Sequence, residues 1–149
     1  MKKTILSILM LTTTFCLFAQ KGKNSLQLNA GYGSKIESIG GGIQFNLAMS
    51  KKMEFAPSIN LFAEKDGVSV KEINFDLHYL IPIGSKVKIY PLFGFSLAEW
   101  SETSAGVNYG VGARYPLTDK FDLGVQYKKN AVSNGQSQYV SFLTIGYKL

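Results

Sequence analysis

The sequence predicts an all-β chain: an eight-stranded antiparallel up-and-down transmembrane β-barrel preceded by a cleavable signal peptide. Three observations predict it. Large apolar residues alternate with small neutral ones at period two, which is the signature of strands. The polar face of those strands is mostly Gly, Asn, Ser and Gln, whereas a soluble sandwich coats its outer face in charge. Finally, the segments are long. Soluble strands usually run about five or six residues, while a tilted membrane-spanning strand needs roughly nine to eleven. Bulky residues facing lipid and short polar ones filling a narrow interior satisfy all three.

The first nineteen residues stand apart. Lys2 and Lys3 open a basic start, Ile5 to Leu17 form an apolar run, and Leu17, Phe18 and Ala19 offer a cleavage site before Gln20. This pattern reads as a secretory signal. The run is broken by Thr12, Thr13 and Thr14 and falls short of the roughly twenty residues of a spanning helix. Cys16 follows Phe15, where a lipidation signal wants a small residue. Residues 20–149 then form one barrel domain. Removing nineteen residues from 149 leaves 130, with no cysteine, so no disulfide staples the mature chain. Losing the two signal lysines lowers the formal charge from +6 to +4. That excess is spread out, which speaks against nucleic acid as a partner.

Eight strands follow in order. Residues 25–32 alternate Leu26, Leu28, Ala30 and Tyr32 with Gln27, Asn29 and Gly31, and residues 38–49 carry Ile43, Phe45, Leu47 and Met49 on one face. Gly40, Gly41 and Gly42 lie inside this second strand with no following helix or Lys-Ser/Thr, so they make no phosphate loop. They are read as a bend. Residues 53–63 form the third strand, and the Asp66-Gly67 reversal leads to the fourth at 70–81. The fifth, 87–99, aligns Ile89, Pro91, Phe93, Phe95 and Leu97. The sixth, 106–117, aligns Val107, Tyr109, Val111, Ala113 and Tyr115. Residues 121–128 and 138–149 complete the set. Pro57 and Pro91 lack a ladder donor and are read as local bulges.

By alternation, Glu54, Asp76, His78, Lys88, Arg114 and Asp122 point inward. Arg114 and Asp122 flank one turn and His78 and Lys88 another, so each pair is expected to face across its hairpin. Eight strands leave room only for side chains, and buried charges there must be paired. The reading is a salt-bridged plug rather than a pore. A lone histidine makes no metal site, and no nucleophile or substrate pocket accompanies the carboxylates. Neither cofactor nor enzyme activity is expected. Tyr32, Trp100, Tyr109, Tyr127 and Tyr139 fall near one rim, where amphipathic rings favour the water–lipid boundary; ordinary strand propensity also accounts for them. Lys128 and Lys129 lie near the same rim. They are read either as solvated or as point charges for lipopolysaccharide phosphates.

Tyr139, Leu143, Ile145, Tyr147 and Leu149 occupy alternate positions back from the end, with Ser141 interrupting. This resembles the last-strand assembly signal of bacterial outer-membrane proteins, though such strands usually end in Phe. Residues 74–129 contain "LHYLIPIGSKVKIYPLFGFSL" followed by "GVNYGVGARYPLTDKFDLGVQY". The stretch resembles the opacity-type, outer-membrane-protein-X-like β-barrel family, with its Tyr-Pro strand, Gly-x-x-Tyr-Gly-x-Gly strand and Leu-Thr-Asp turn. The resemblance implies residence in the outer membrane of a Gram-negative bacterium, with outer-membrane lipid, lipopolysaccharide and the barrel-assembly machinery as partners. It implies no enzyme and carries over no catalytic residues; the function expected of the chain is a structural or surface-interaction role in the envelope. Two other functions stay open at this point: a narrow porin-like channel, and a secreted soluble barrel holding an apolar ligand.

Overall fold

A computed structural model describes residues 24–133 and 135–149. The predicted signal peptide lies outside the described residues. Nine strands make eight staves: β1 (Ser25–Gly33), β2 (Ser38–Ala48), β3 (Met53–Lys65), β4 (Val68–Tyr79), β5 (Ile81–Ile83), β6 (Val87–Glu99), β7 (Thr103–Pro116), β8 (Phe121–Val132) and β9 (Gln138–Lys148). Apart from β4 and β5, which share one stave, consecutive strands pair antiparallel. β1 also pairs with β9, and β4 with β6, which closes the sheet into a barrel. The short β5 continues β4 along β6 in the same register, so the two form one stave.

The prolines cause interruptions, not bulges. Tyr79 and Leu80, where β4 gives way to β5, fall opposite Pro91 and Tyr90 in that shared register. Pro57 pairs with Phe75 on β4, while the ladder to β2 skips Phe45 and Asn46 opposite it. A missing N–H removes one ladder bond without inserting a residue. The one register shift in the β3–β4 pair lies between Phe62 and Lys65, beside the reversal at Asp66 (φ 53°) and Gly67 (φ 78°).

The faces divide as the period-two pattern dictates. Phe75, Leu77, Phe93 and Val111 all point away from the barrel, with Phe93 56% exposed. Inside lie Gln27, Gln44, Asn46, Asn60, Asn74 and Asn108, each fully buried. An apolar exterior around a polar centre inverts a soluble fold, and only a hydrocarbon solvent makes that arrangement favourable. The soluble-barrel alternative fails on this point. Glycines make the filling possible: a Cβ on Gly112 would collide with the Tyr90 ring, and one on Gly42 with Asn60. The glycines of β2 therefore leave room for side chains of the next stave, which is a packing role as well as a bend.

The barrel has two unlike ends. The terminal end carries Asn24, Leu149 and the turns around residues 50, 85 and 119. The loop end carries residues 34–37, 66–67, 100–102, 133 and 135–137. At the loop end Ile36, Phe62, Val70, Val140 and Phe142 converge into a buried apolar cluster, with Val68 and Trp100 packed against it.

Candidate functional site: the lumen

The lumen is filled in layers. Beneath the apolar cluster, Gln138 Nε2 donates to Glu72 Oε1 at 2.6 Å, and Asn29 reaches Asn60 at 3.5 Å. The next layer centres on Asp76. Lys128 Nζ donates to its Oδ2 at 3.0 Å, and Asn108 Nδ2 to its Oδ1 at 2.8 Å. Asn108 also reaches Asn74 Oδ1 at 2.9 Å. Lys128 is 1% exposed and Asp76 0%. Charges removed this far from water are tolerated only when paired and hydrogen-bonded.

Toward the terminal end, Arg114 Nη1 donates to both oxygens of Glu54, at 3.2 and 2.8 Å. Its Nη2 lies 3.1 Å from His78 Nδ1. A guanidinium only donates, so Nδ1 accepts and the imidazole proton sits on Nε2. His78 Nδ1 is also 3.7 Å from Glu54, too long for a hydrogen bond. The Arg114 guanidinium lies 4.6 Å from the centroid of the Tyr90 ring, and His78 stacks on that same ring at 4.6 Å. Beside this layer, Gln44 donates to Gln27 and Asn46, both at 2.8 Å.

These contacts are struts across the barrel. Arg114 on β7 reaches β3, three staves away, as Lys128 on β8 reaches β4. Gln138 on β9 reaches β4 from four staves away. The inward set read from sequence is thus split. Glu54, His78 and Arg114 meet in one layer and Asp76 anchors another. Asp122 is buried nearby with Oδ1 lacking a hydrogen-bond partner. Lys88 is exposed at the terminal mouth and, among the described residues, joins no ion pair.

The expected hairpin pairs do not form. Arg114 sits opposite Gly124 and Asp122 opposite Pro116, so a longer reach across the lumen gives Arg114 the better partner. Lys128 is not a rim residue for lipopolysaccharide: it shares the inward parity of Asp122, Gly124 and Gln126, because β8 runs on to Val132. Only Lys129 faces outward, its Nζ 5.2 Å from the Tyr139 ring. Glu72 and Lys128 are the lumen charges the sequence reading missed; alternation carried through the full strand length reaches both.

On the outside, Tyr32, Tyr109, Tyr127 and Tyr139 are exposed, and Tyr127 stacks on Tyr139 at 5.7 Å. Trp100 departs from this set. It is half-buried against the loop-end cluster, with Nε1 lacking a hydrogen-bond partner among the described residues, because it lies past the end of β6 in a turn and not on a strand face. Tyr79, Tyr115 and Tyr147 form a further exposed group near the terminal end. Tyr139, Leu143, Ile145, Tyr147 and Leu149 all point outward along the stave that joins β8 to β1.

Sequence comparison places the outer membrane protein beta-barrel domain on residues 12–148. The chain belongs to that family. It is an outer-membrane protein. Neisserial surface protein A has a similar fold: TM-score 0.73 at 18% identity, over 87% of this chain and 100% of that one. The N-terminal barrel domain of OprF from Pseudomonas aeruginosa aligns at TM-score 0.70 and 16% identity, over 87% and 100%. Ail, the attachment invasion locus protein of Yersinia pestis, aligns at 0.60 and 14%, again over 87% and 100%. No protein of curated function matches the chain. Identities this low speak to the fold.

Proposed function

We propose that this chain is a structural or weak surface-interaction barrel of the envelope, exported by residues 1–19, with a side-chain plug in place of a pore and no catalytic role. The observation that carries it is the filled lumen: an apolar cluster at the loop end above cross-barrel ion pairs. A path for solute would have to break Asp76–Lys128 or Glu54–Arg114 and leave a charge unpaired, an outcome costing on the order of 3–5 kcal/mol. That cost disfavours the porin-like alternative.

The outward ring of Tyr32, Tyr109, Tyr127 and Tyr139 supports contact with the lipid–water boundary. Lys129 beside two of these tyrosines is the remaining candidate for a lipopolysaccharide phosphate. The apolar outer face of β9 supports recognition by the assembly machinery as the last stave docks. One Ail structure holds the heparin analogue sucrose octasulfate. The loop end here offers no surplus of cations for such a ligand: Lys65 pairs with Glu37 and Lys71 with Glu99.

Planar-bilayer recording on the folded full-length protein tests the plug. Silence is the expected result. A steady, reproducible open level would make the chain a channel and remove the structural reading.

A further inference from the structure

The terminal mouth has an electrostatic character that the plug does not require. Lys51, Lys52, Lys86, Lys88, Lys120 and Lys148 all lie at this end, and Asp119 is the one acidic residue among its turns. Among the described residues, none of these lysines forms an ion pair. Like charges so close repel, so the arrangement costs stability unless something anionic joins it. They also surround a concavity. Lys51, Lys86, Lys88 and Lys148 line a cavity of about 430 Å³ together with Ser50 and Ser85, and its floor is Arg114, Glu54 and Asp122.

Within that floor Glu54 is already neutralised by Arg114. Arg114 is more than nine-tenths buried, lines the cavity, and keeps its Nε without a hydrogen-bond partner. Asp122 is the only other carboxylate in the lining. Four ammonium groups and a guanidinium against two carboxylates leave a net positive pocket, closed behind by the plug. A small anion carrying several oxygens suits ammonium donors that act as flexible point charges. Low-dielectric walls strengthen the attraction.

We propose that the terminal mouth binds phosphoryl anions, with Lys86, Lys88 and Lys148 as the principal ligands and Asp122 as an opposing charge that tunes affinity. The proposal rests on the plugged reading, since an anion must stop at the mouth and not pass. Phosphoryl groups reach this mouth from two sources: free phosphate compounds, or lipid headgroups just beyond the Tyr79, Tyr115 and Tyr147 level.

The test uses the full chain folded in neutral detergent micelles, with heat-modifiable gel migration confirming that each variant is folded. Titration calorimetry with inorganic pyrophosphate is expected to show saturable, one-to-one binding that weakens as salt rises. The triple variant K86Q/K88Q/K148Q should lose about tenfold or more in affinity. Asp122→Asn should bind about threefold more tightly, since a repulsive charge is removed; misfolding does not produce a gain. Lys65→Gln at the loop end should change nothing. A second arm compares flotation with phosphatidylcholine vesicles containing or lacking phosphatidylglycerol. Lysine-dependent binding of pyrophosphate assigns the site to free phosphates, and lysine-dependent preference for phosphatidylglycerol alone assigns it to headgroups. If neither arm responds to the triple variant, the proposal is overturned. A silent bilayer record with no anion binding would sink the mouth site and leave the plug intact, whereas a conducting barrel would remove the plug.

Discussion

The two ends of the barrel solve the same problem in opposite ways. At the loop end the opening is closed by hydrocarbon: Phe62, Val70, Val140 and Phe142 meet with Ile36 and exclude water. The charges around that cluster nearly balance, five carboxylates (Glu37, Glu64, Asp66, Glu99, Glu102) against four lysines (Lys35, Lys65, Lys71, Lys129), with a slight acidic excess. At the terminal end the closure is ionic, through Arg114, Glu54 and His78, and among the described residues the surrounding lysines outnumber their carboxylates and form no ion pair. Apolar closure seals without needing any partner. Ionic closure leaves a wet, charged vestibule above it, and so leaves that end something to recognise.

Depth in the lumen should then decide what a lost charge costs. The largest effect is expected for Lys128→Met, which strands Asp76 in the driest layer. Unfolding in urea should show a loss of about 3–5 kcal/mol, with most of it restored in D76N/K128M because both charges are gone. A loss below about 1 kcal/mol would mean that water reaches this layer, and the contrast between the two ends would fade. Arg114→Met should cost less, about 1.5–3 kcal/mol, because Glu54 borders the mouth and can recruit solvent. If the order of these two variants were reversed, the terminal layer would be the true seal.

The smallest effect belongs to the loop-end pair. Hydrogen bonding to Lys65, together with its charge, holds the Glu37 carboxyl below its ordinary range. A depressed folded value means the contribution is present above the ordinary carboxylate pKa and fades as pH falls through the lowered one. Both side chains stand in water, so Glu37→Gln should leave the urea midpoint unchanged within error at neutral pH and flatten only a slight acid dependence.

Much of this was legible from period two. The alternation of Phe75 and Leu77 with Asn74, Asp76 and His78 fixes which face each occupies, and Asp66-Gly67 marks a reversal that the backbone makes with positive φ at both residues. Alternation assigns a face but carries no information about reach. Alternation therefore pairs Arg114 with Asp122, the inward charge across its own hairpin, although a long guanidinium in a narrow lumen meets Glu54, sixty residues away. Lys128 shows a different limit: strand ends are poorly marked in sequence, and β8 runs four residues past Lys128, which makes it an interior and not a rim residue. Trp100 illustrates a third limit, since a turn residue beyond the end of β6 obeys no strand parity.

The cross-lumen struts also bear on how the protein is made. Glu54, Glu72 and Asp76 find their partners 60, 66 and 52 residues later in the chain. The first four strands can form hairpins with their outer faces in lipid, yet their carboxylates stay uncompensated until β7, β8 and β9 arrive. Half a barrel is therefore poorly rewarded, and late closure should make insertion close to all-or-none. Truncating the final stave would forfeit Gln138, the partner of Glu72, as well as the seam to β1. The expected product is a chain that fails to insert, not a barrel with a gap.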